Sequence, residues 1–240
     1  IDSIHGTAFA VWAPNARRVS VKGDFNHWRD DAHPMRCLGD SGVWELFIPN
    51  IGEGAHYKFD LLTADGEVCE KTDPFGFFFE TAPNNAAIVW NSRKFNWRDH
   101  DWMTARTNAD PLREPMSIYE LHLGSWRRKL GTGSLSYREL AGPLVDYVRR
   151  LGFTHVEFLP VAEHPYYPSW GYQVTGFFAP TSRYGTPDDF QFLVNALHEA
   201  KIGVIIDWVS AHFPRDVWSL ARFDGTPLYE HSDPQRANHP

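Results

Sequence analysis

Cysteine is scarce in this 240-residue sequence: only Cys37 and Cys69 are present, both in the first third. Two thiols could pair with each other, but they build no disulfide framework, and a reducing compartment is the simpler setting. Long apolar runs are missing too. No stretch approaches the roughly 20 residues that a bilayer-crossing helix needs, so no membrane partner is expected. Blocks of like charge are absent, and 30 acidic against 23 basic residues give a net charge of −7. That balance argues against nucleic acid as a partner. The sequence also lacks a G-x-S-x-G motif, a phosphate-cradling glycine loop, and any H-E-x-x-H, H-x-x-E-H or C-x-x-C spacing. Serine hydrolysis, nucleotide chemistry and metal binding therefore have no foothold, and no cofactor is expected. The chain opens on Ile1 rather than methionine, which leaves a removed targeting segment open.

What is present is 42% hydrophobic and 15% aromatic, ample for one large domain or two ordinary ones. The two halves carry different periods. Residues 1–95 alternate at period two. Phe9 and Val11 share a face, as do Val19 and Val21, then Trp44, Leu46 and Ile48, then Tyr57, Phe59 and Leu61. Turn signals at Pro14-Asn15, Ser41-Gly42, Pro49-Asn50 and Asp65-Gly66 separate these runs. The pattern predicts an antiparallel β-sandwich. Residues 96–115 are polar and mixed, a connector with one short helical turn.

From residue 116 to 240 the order changes to β-α-β-α-β. Strands are predicted over 117–123, 154–161 and 203–209. Ser136 and Glu139 form a capping box ahead of Leu140, Leu144, Val148 and Leu151, with Gly152 as the stop. Gly142-Pro143 inside this run predicts a kink or a restart. Thr186 caps a second helix, with Pro187 at its first position and Asp188 and Asp189 in its first turn. A long loop joins the second strand to that helix. Successive parallel strands end on one edge, and binding and chemistry in such folds sit at that carboxyl edge.

The residues just past each strand are polar and aromatic: His122 and Trp126, then Glu163, His164, Trp170, Tyr172 and Gln173, then Asp207 and His212. Aromatic faces stack on sugar rings, and amides, carboxylates and imidazoles bind hydroxyls, so a neutral polyhydroxylated ligand fits. Each residue also has a plain structural reading. Asp207 alone reads equally as a helix cap or loop anchor, the histidines as satisfied structural groups, and Trp126 and Trp170 as plugs. A metal site drawn from His122, His164, Asp207 and His212 lacks any recognised ligand spacing. The coincidence of three polar-aromatic loops on one edge favours a site.

The segments "FAVWAPNARRVSVKGDFNHW", "SIYELHLGSWRR", "GFTHVEFLPVAEHP", "SWGYQVTGFFAPTSRYGTPDDF", "DWVSAHFP" and "DGTPLYEHSDP" resemble the 1,4-α-glucan (glycogen) branching-enzyme family of the α-amylase superfamily. The resemblance runs from about Phe9 to Pro234. It implies a multidomain fold of two classes, β and α/β. An N-terminal immunoglobulin-like, glycogen-binding-type β-sandwich (1–95) is followed, after the connector (96–115), by the first three βα units of a (β/α)8 TIM barrel (116–240), incomplete in this chain. It also implies a retaining transglycosylation, in which chains cut from α-1,4-glucan are passed to a 6-hydroxyl. The family's Asp nucleophile and its Glu acid/base come from later strands, so no catalytic residue is assigned here and both are expected after Pro240.

By the same resemblance, Asp207 and His212 shape the subsite around the scissile bond, and Tyr172 stacks beneath the reacting sugar. Gln173, Trp170 and His164 belong to the same loop. Ser210 stands where the family usually has proline. Trp28 matches a tryptophan that stacks on glucan in some relatives, but its second aromatic is replaced by Asp65-Gly-Glu-Val-Cys. The expected partner is α-1,4-glucan (glycogen, amylose), the expected location cytoplasmic and the expected state monomeric. An inactive glucan-binding chain, and a debranching or trehalose-releasing hydrolase, are the alternatives.

Overall fold

A computed structural model describes residues 4–131, 133–212 and 214–237; Phe213, in the "DWVSAHFP" motif, lies outside them. The first part is built from seven strands. β1 (Gly6–Trp12), β2 (Arg18–Gly23), β3 (Arg36–Cys37), β4 (Val43–Pro49), β5 (His56–Leu62), β6 (Val68–Lys71) and β7 (Ala87–Ile88) form two antiparallel sheets. One sheet is ordered β1-β4-β3, and the other is β2-β5-β6 with β7 also on β5. The period-two runs set this arrangement. Phe9, Val11, Val19, Val21, Phe59 and Leu61 point inward and share one core cluster. Cys37 and Cys69 are free thiols.

The connector holds more structure than its composition signals. Helix α1 (His100–Asn108) spans nine residues with none buried. It has no apolar face for periodicity to reveal. It is tied down where the His198 imidazole meets the Asp99 carboxylate at 2.7 Å and stacks on Trp102 at 5.2 Å.

Three parallel strands follow: β8 (Ile118–Leu121), β9 (His155–Phe158) and β12 (Gly203–Ile206), ordered β12-β9-β8. All three are shorter than the sequence predicts. After β8 the chain turns at once into a short helix, α2 (Leu123–Trp126). The long helix α3 (Tyr137–Leu151) begins at the Ser136–Glu139 capping box and ends at Gly152 in the left-handed region. It runs unbroken through Gly142-Pro143, so the helix does not restart at Pro143. Proline fixes φ near the helical value, so only the bond back to Glu139 is lost. α4 (Pro187–Glu199) is capped by Thr186, whose side chain accepts from the Asp189 N–H. α3 and α4 pack against the sheet in a second cluster that includes Leu140, Leu144, Val148, Val156, Phe158 and Leu193.

The loop between β9 and α4 contains an antiparallel pair the sequence did not announce, β10 (Ala162–Glu163) with β11 (Gly176–Pro180). Val204 and Ile205 are half-buried and Ile206 is 45% exposed. β12 has a neighbour on one side only among the described residues, which leaves its other edge open. A last short helix, α5 (Pro234–Ala237), closes the described chain, and none of its helices is long and apolar enough to cross a membrane.

Candidate active site

The three parallel strands end in register, with Leu121, Phe158 and Ile206 side by side. The Asp207 N–H donates to the Phe158 carbonyl at 3.0 Å, extending the ladder one step and setting Asp207 on the carboxyl edge. Tyr172 reaches it from the β10–β11 loop, its hydroxyl donating to Asp207 Oδ2 at 2.9 Å. Gly171 makes that approach feasible. Its φ is +91°, and a Cβ there would lie 2.2 Å from the Pro160 carbonyl oxygen. The bond to Asp207, reinforced by burial, raises the Tyr172 hydroxyl above its ordinary pKa, so it remains a donor. A carboxylate has about four lone-pair sites, so Asp207 keeps capacity for a ligand hydroxyl.

Beside this pair lies a buried polar network. Glu163 accepts from Arg183 Nη1 at 2.9 Å, Thr181 Oγ1 at 3.1 Å, and the Ser182 and His164 N–H groups at 2.6 and 3.0 Å. Burial pushes its carboxyl up, and these donors and the guanidinium oppose that push. Arg183 also donates through Nη2 to the Pro165 carbonyl at 2.9 Å, tying both ends of the loop together. The His164 ring is 2% exposed, with Nδ1 2.9 Å from the Ala162 carbonyl. A carbonyl only accepts, so the proton sits on Nδ1, and Nε2 is buried without a partner among the described residues. Burial lowers the His164 pKa to about 4, and nearby Arg183 adds to the effect, so the ring is neutral at pH 7.

The other predicted residues are placed as follows. Trp170 (59% exposed) and Gln173 lie on the exposed surface of the same loop. His212 is exposed, with φ +62°, on the segment after Asp207. His122 caps α2; its Nδ1 is 3.0 Å from Ser125 Oγ, and burial lowers its pKa. Trp126 is a packing residue. Its indole donates to the Tyr119 hydroxyl at 3.1 Å and lies edge-on to Tyr147 on α3. Trp28 sits apart on the sandwich, 39% exposed, with its indole N–H donating to Asp24 Oδ1 at 3.1 Å. The structure thus joins Tyr172 to Asp207 directly and buries His164 and Glu163 within the same loop. Arg183 was missed from the sequence; its only signal is position, since no spacing rule marks a buried arginine partner. A cavity of about 410 Å³ opens beside Asp207, lined in part by Val174, Phe177, Phe178, Ile206 and Trp208. Among the described residues no group of three or more His, Cys, Asp or Glu is placed to hold a metal.

An immunoglobulin-like sandwich leads into a parallel α/β sheet with aromatics, a carboxylate and an imidazole at its carboxyl edge, an arrangement that suits a carbohydrate ligand. Comparison with known proteins agrees. Residues 2–76 match the family described as Carbohydrate-binding module 48 (Isoamylase N-terminal domain), and residues 143–224 match Alpha amylase, catalytic domain. The chain is thus similar to a carbohydrate-binding module in its sandwich and to part of an α-amylase catalytic domain in its second half.

Along its whole length it resembles part of the 1,4-α-glucan branching enzymes. It is 63% identical over 240 residues to the 1,4-alpha-glucan branching enzyme of Thermobifida fusca, covering all of this chain and 31% of that protein. The enzyme of Kitasatospora aureofaciens is 60% identical, with 100% and 30% covered. The enzyme of a Synechococcus species is 51% identical, with 100% and 33% covered. The chain thus spans about a third of the length of these relatives. A solved structure of a putative alpha amylase from Salmonella typhimurium superposes with a TM-score of 0.68 at 27% identity, covering 89% of this chain and 34% of that one. A pullulanase from Bacillus acidopullulyticus shares the fold, with a TM-score of 0.74 at 22% identity over 99% of this chain and 32% of its own.

Proposed function

We propose that this chain supplies the sandwich and the opening βα units of a 1,4-α-glucan branching enzyme. The enzyme cuts α-1,4-glucan and transfers the released chain to a 6-hydroxyl with retention. The observation that carries the reading is the Tyr172–Asp207 hydrogen bond at the shared carboxyl edge, in a chain similar along its whole length to branching enzymes. In this reading the domains run 1–95, 96–115 and 116–240. Asp207 and His212 hold hydroxyls of the glucose unit at the scissile bond, Tyr172 stacks on that sugar, and Gln173 and Trp170 extend the contact surface. His164 supports them from beneath. Trp28 offers a single aromatic face to glucan on the sandwich.

The nucleophilic Asp and the acid/base Glu belong to later barrel strands, which this chain does not include. The Asp attacks the anomeric carbon while the Glu protonates the departing oxygen; the Glu then takes a proton from the incoming 6-hydroxyl, whose oxygen attacks the same carbon and expels the Asp carboxylate. The residues named here bind and orient the sugar through those steps. Glycogen and amylose are the substrates, the protein acts in the cytoplasm, and it works as a monomer. Amylose incubated with the full-length protein tests this. Loss of iodine colour without new reducing ends supports branching, and release of reducing sugar contradicts it in favour of hydrolysis. The 240-residue chain alone is expected to turn nothing over.

A further inference from the structure

Residues 217–225 are built onto the sandwich and, among the described residues, add no strand to the parallel sheet. Val217 follows His212 by five residues. Lys71, the last residue of β6, donates through Nζ to three main-chain carbonyls there: Val217 at 2.7 Å, Ser219 at 3.1 Å and Ala221 at 2.8 Å. An ammonium has three donors, and all three are spent on this segment. The next residue, Thr72, donates its N–H to the Trp218 carbonyl at 2.8 Å.

Further along, Phe223 is fully buried within the sandwich core cluster. The buried Asp224 carboxylate accepts from the Asn15 N–H and from Asn15 Nδ2, both at 3.0 Å. Gly225, at φ +91°, presses so closely on the sandwich that a Cβ there would lie 2.8 Å from Thr63 Cβ. Carbonyls buried without a donor cost free energy, so removing the ammonium releases this segment rather than leaving it in place.

The geometry points to Lys71 as a positioning residue: from the sandwich it fixes the backbone of residues 217–221 and, through that anchor, sets where His212 stands at the carboxyl edge. This rests on the branching reading for the role of His212, and it makes the sandwich a structural part of the active site as well as a binding module. Asp207, just past β12, and Lys71 on the sandwich anchor the chain on either side of His212, and small displacements of a positioning group carry large rate costs.

The test is Lys71→Met in the full-length protein, read by branching kinetics and by the NMR signal of the His212 imidazole in histidine-labelled protein. The expected result is a shifted or broadened His212 signal and a kcat at least about tenfold lower, with KM for glucan changed less than about twofold. An unmoved His212 signal overturns the proposal, as does an unchanged kcat. If wild-type protein forms no branches, the functional reading fails, and the His212 signal alone decides the role of Lys71. Should Lys71→Met not fold, Asn15→Ala removes the second clasp at Asp224 and is expected to shift the same signal with a smaller kcat loss. No shift there overturns the proposal equally.

Discussion

The sandwich and the parallel sheet bury apolar side chains by the same physics and finish differently. In the sandwich, two antiparallel sheets face each other, and Val19, Val21, Phe59 and Leu61 are wholly removed from solvent. In the parallel part, α3 and α4 cover one face, while β8 and β12 each have one neighbour among the described residues. Ile118, Ile206 and Trp208 are left exposed there. A sandwich satisfies itself with two layers, whereas a sheet of barrel type needs neighbours on both edges. The contrast separates a closed core, to which Phe223 from the second part contributes, from a scaffold whose carboxyl edge stands open. The two are joined by Lys71, by Asn15 with Asp224, and by Phe75 stacked on Phe178 at 5.2 Å.

Substitutions on either side can break that contrast. The largest effect is expected from Phe59→Ala in the closed core, a loss of about 3–5 kcal/mol of stability by denaturant unfolding. A cost near 1 kcal/mol would show that the sandwich core is loosely packed.

Next comes acid. His164 has its pKa lowered to about 4 in the folded protein against about 6.5 unfolded, so the unfolded chain binds the extra proton between those values. Stability from this group is full above about pH 6.5 and falls by roughly 3 kcal/mol as pH drops to 4. His164→Gln should flatten that part of the stability–pH curve in the α/β region, and an unchanged slope would contradict the buried neutral assignment.

A smaller effect is expected from Tyr172→Ala in the full-length protein, a turnover loss of at least roughly tenfold, or about 1.4 kcal/mol. An unchanged rate would remove Tyr172 from the site. The smallest is Ile206→Ala, under about 1 kcal/mol in this chain because the side chain is half in water. A cost equal to that of Phe59→Ala would erase the distinction between closed and open parts.

Much of this architecture was legible in the residues. The alternation of Val19 with Val21 and of Phe59 with Leu61 specified the sandwich faces. The capping residues Ser136, Glu139, Thr186 and Pro187 marked both long helices to the residue. The convergence of Asp207 and the Tyr172 loop followed from parallel order alone. What stayed hidden has physical causes. Helix α1 buries nothing, so it leaves no periodic trace. The β10–β11 pair is set by Glu163 finding Arg183 twenty residues away, a contact that neither residue's neighbours foretell. Pro143 sits inside a helix that continues through it. Lys71 reads as one more charged strand residue until its three carbonyl partners, about 150 residues later, are seen.

In the proposed function, Tyr172 and Asp207 grip the donor sugar as one unit at the carboxyl edge. A double-mutant cycle of Tyr172→Phe and Asp207→Asn, read as kcat/KM for amylose branching by the full-length protein, tests it directly. Strong non-additivity is expected, a coupling of roughly 1–2 kcal/mol, as for a hydrogen-bonded pair with a charged partner. Losses that simply add would mean the two residues serve separate ends, and would contradict it.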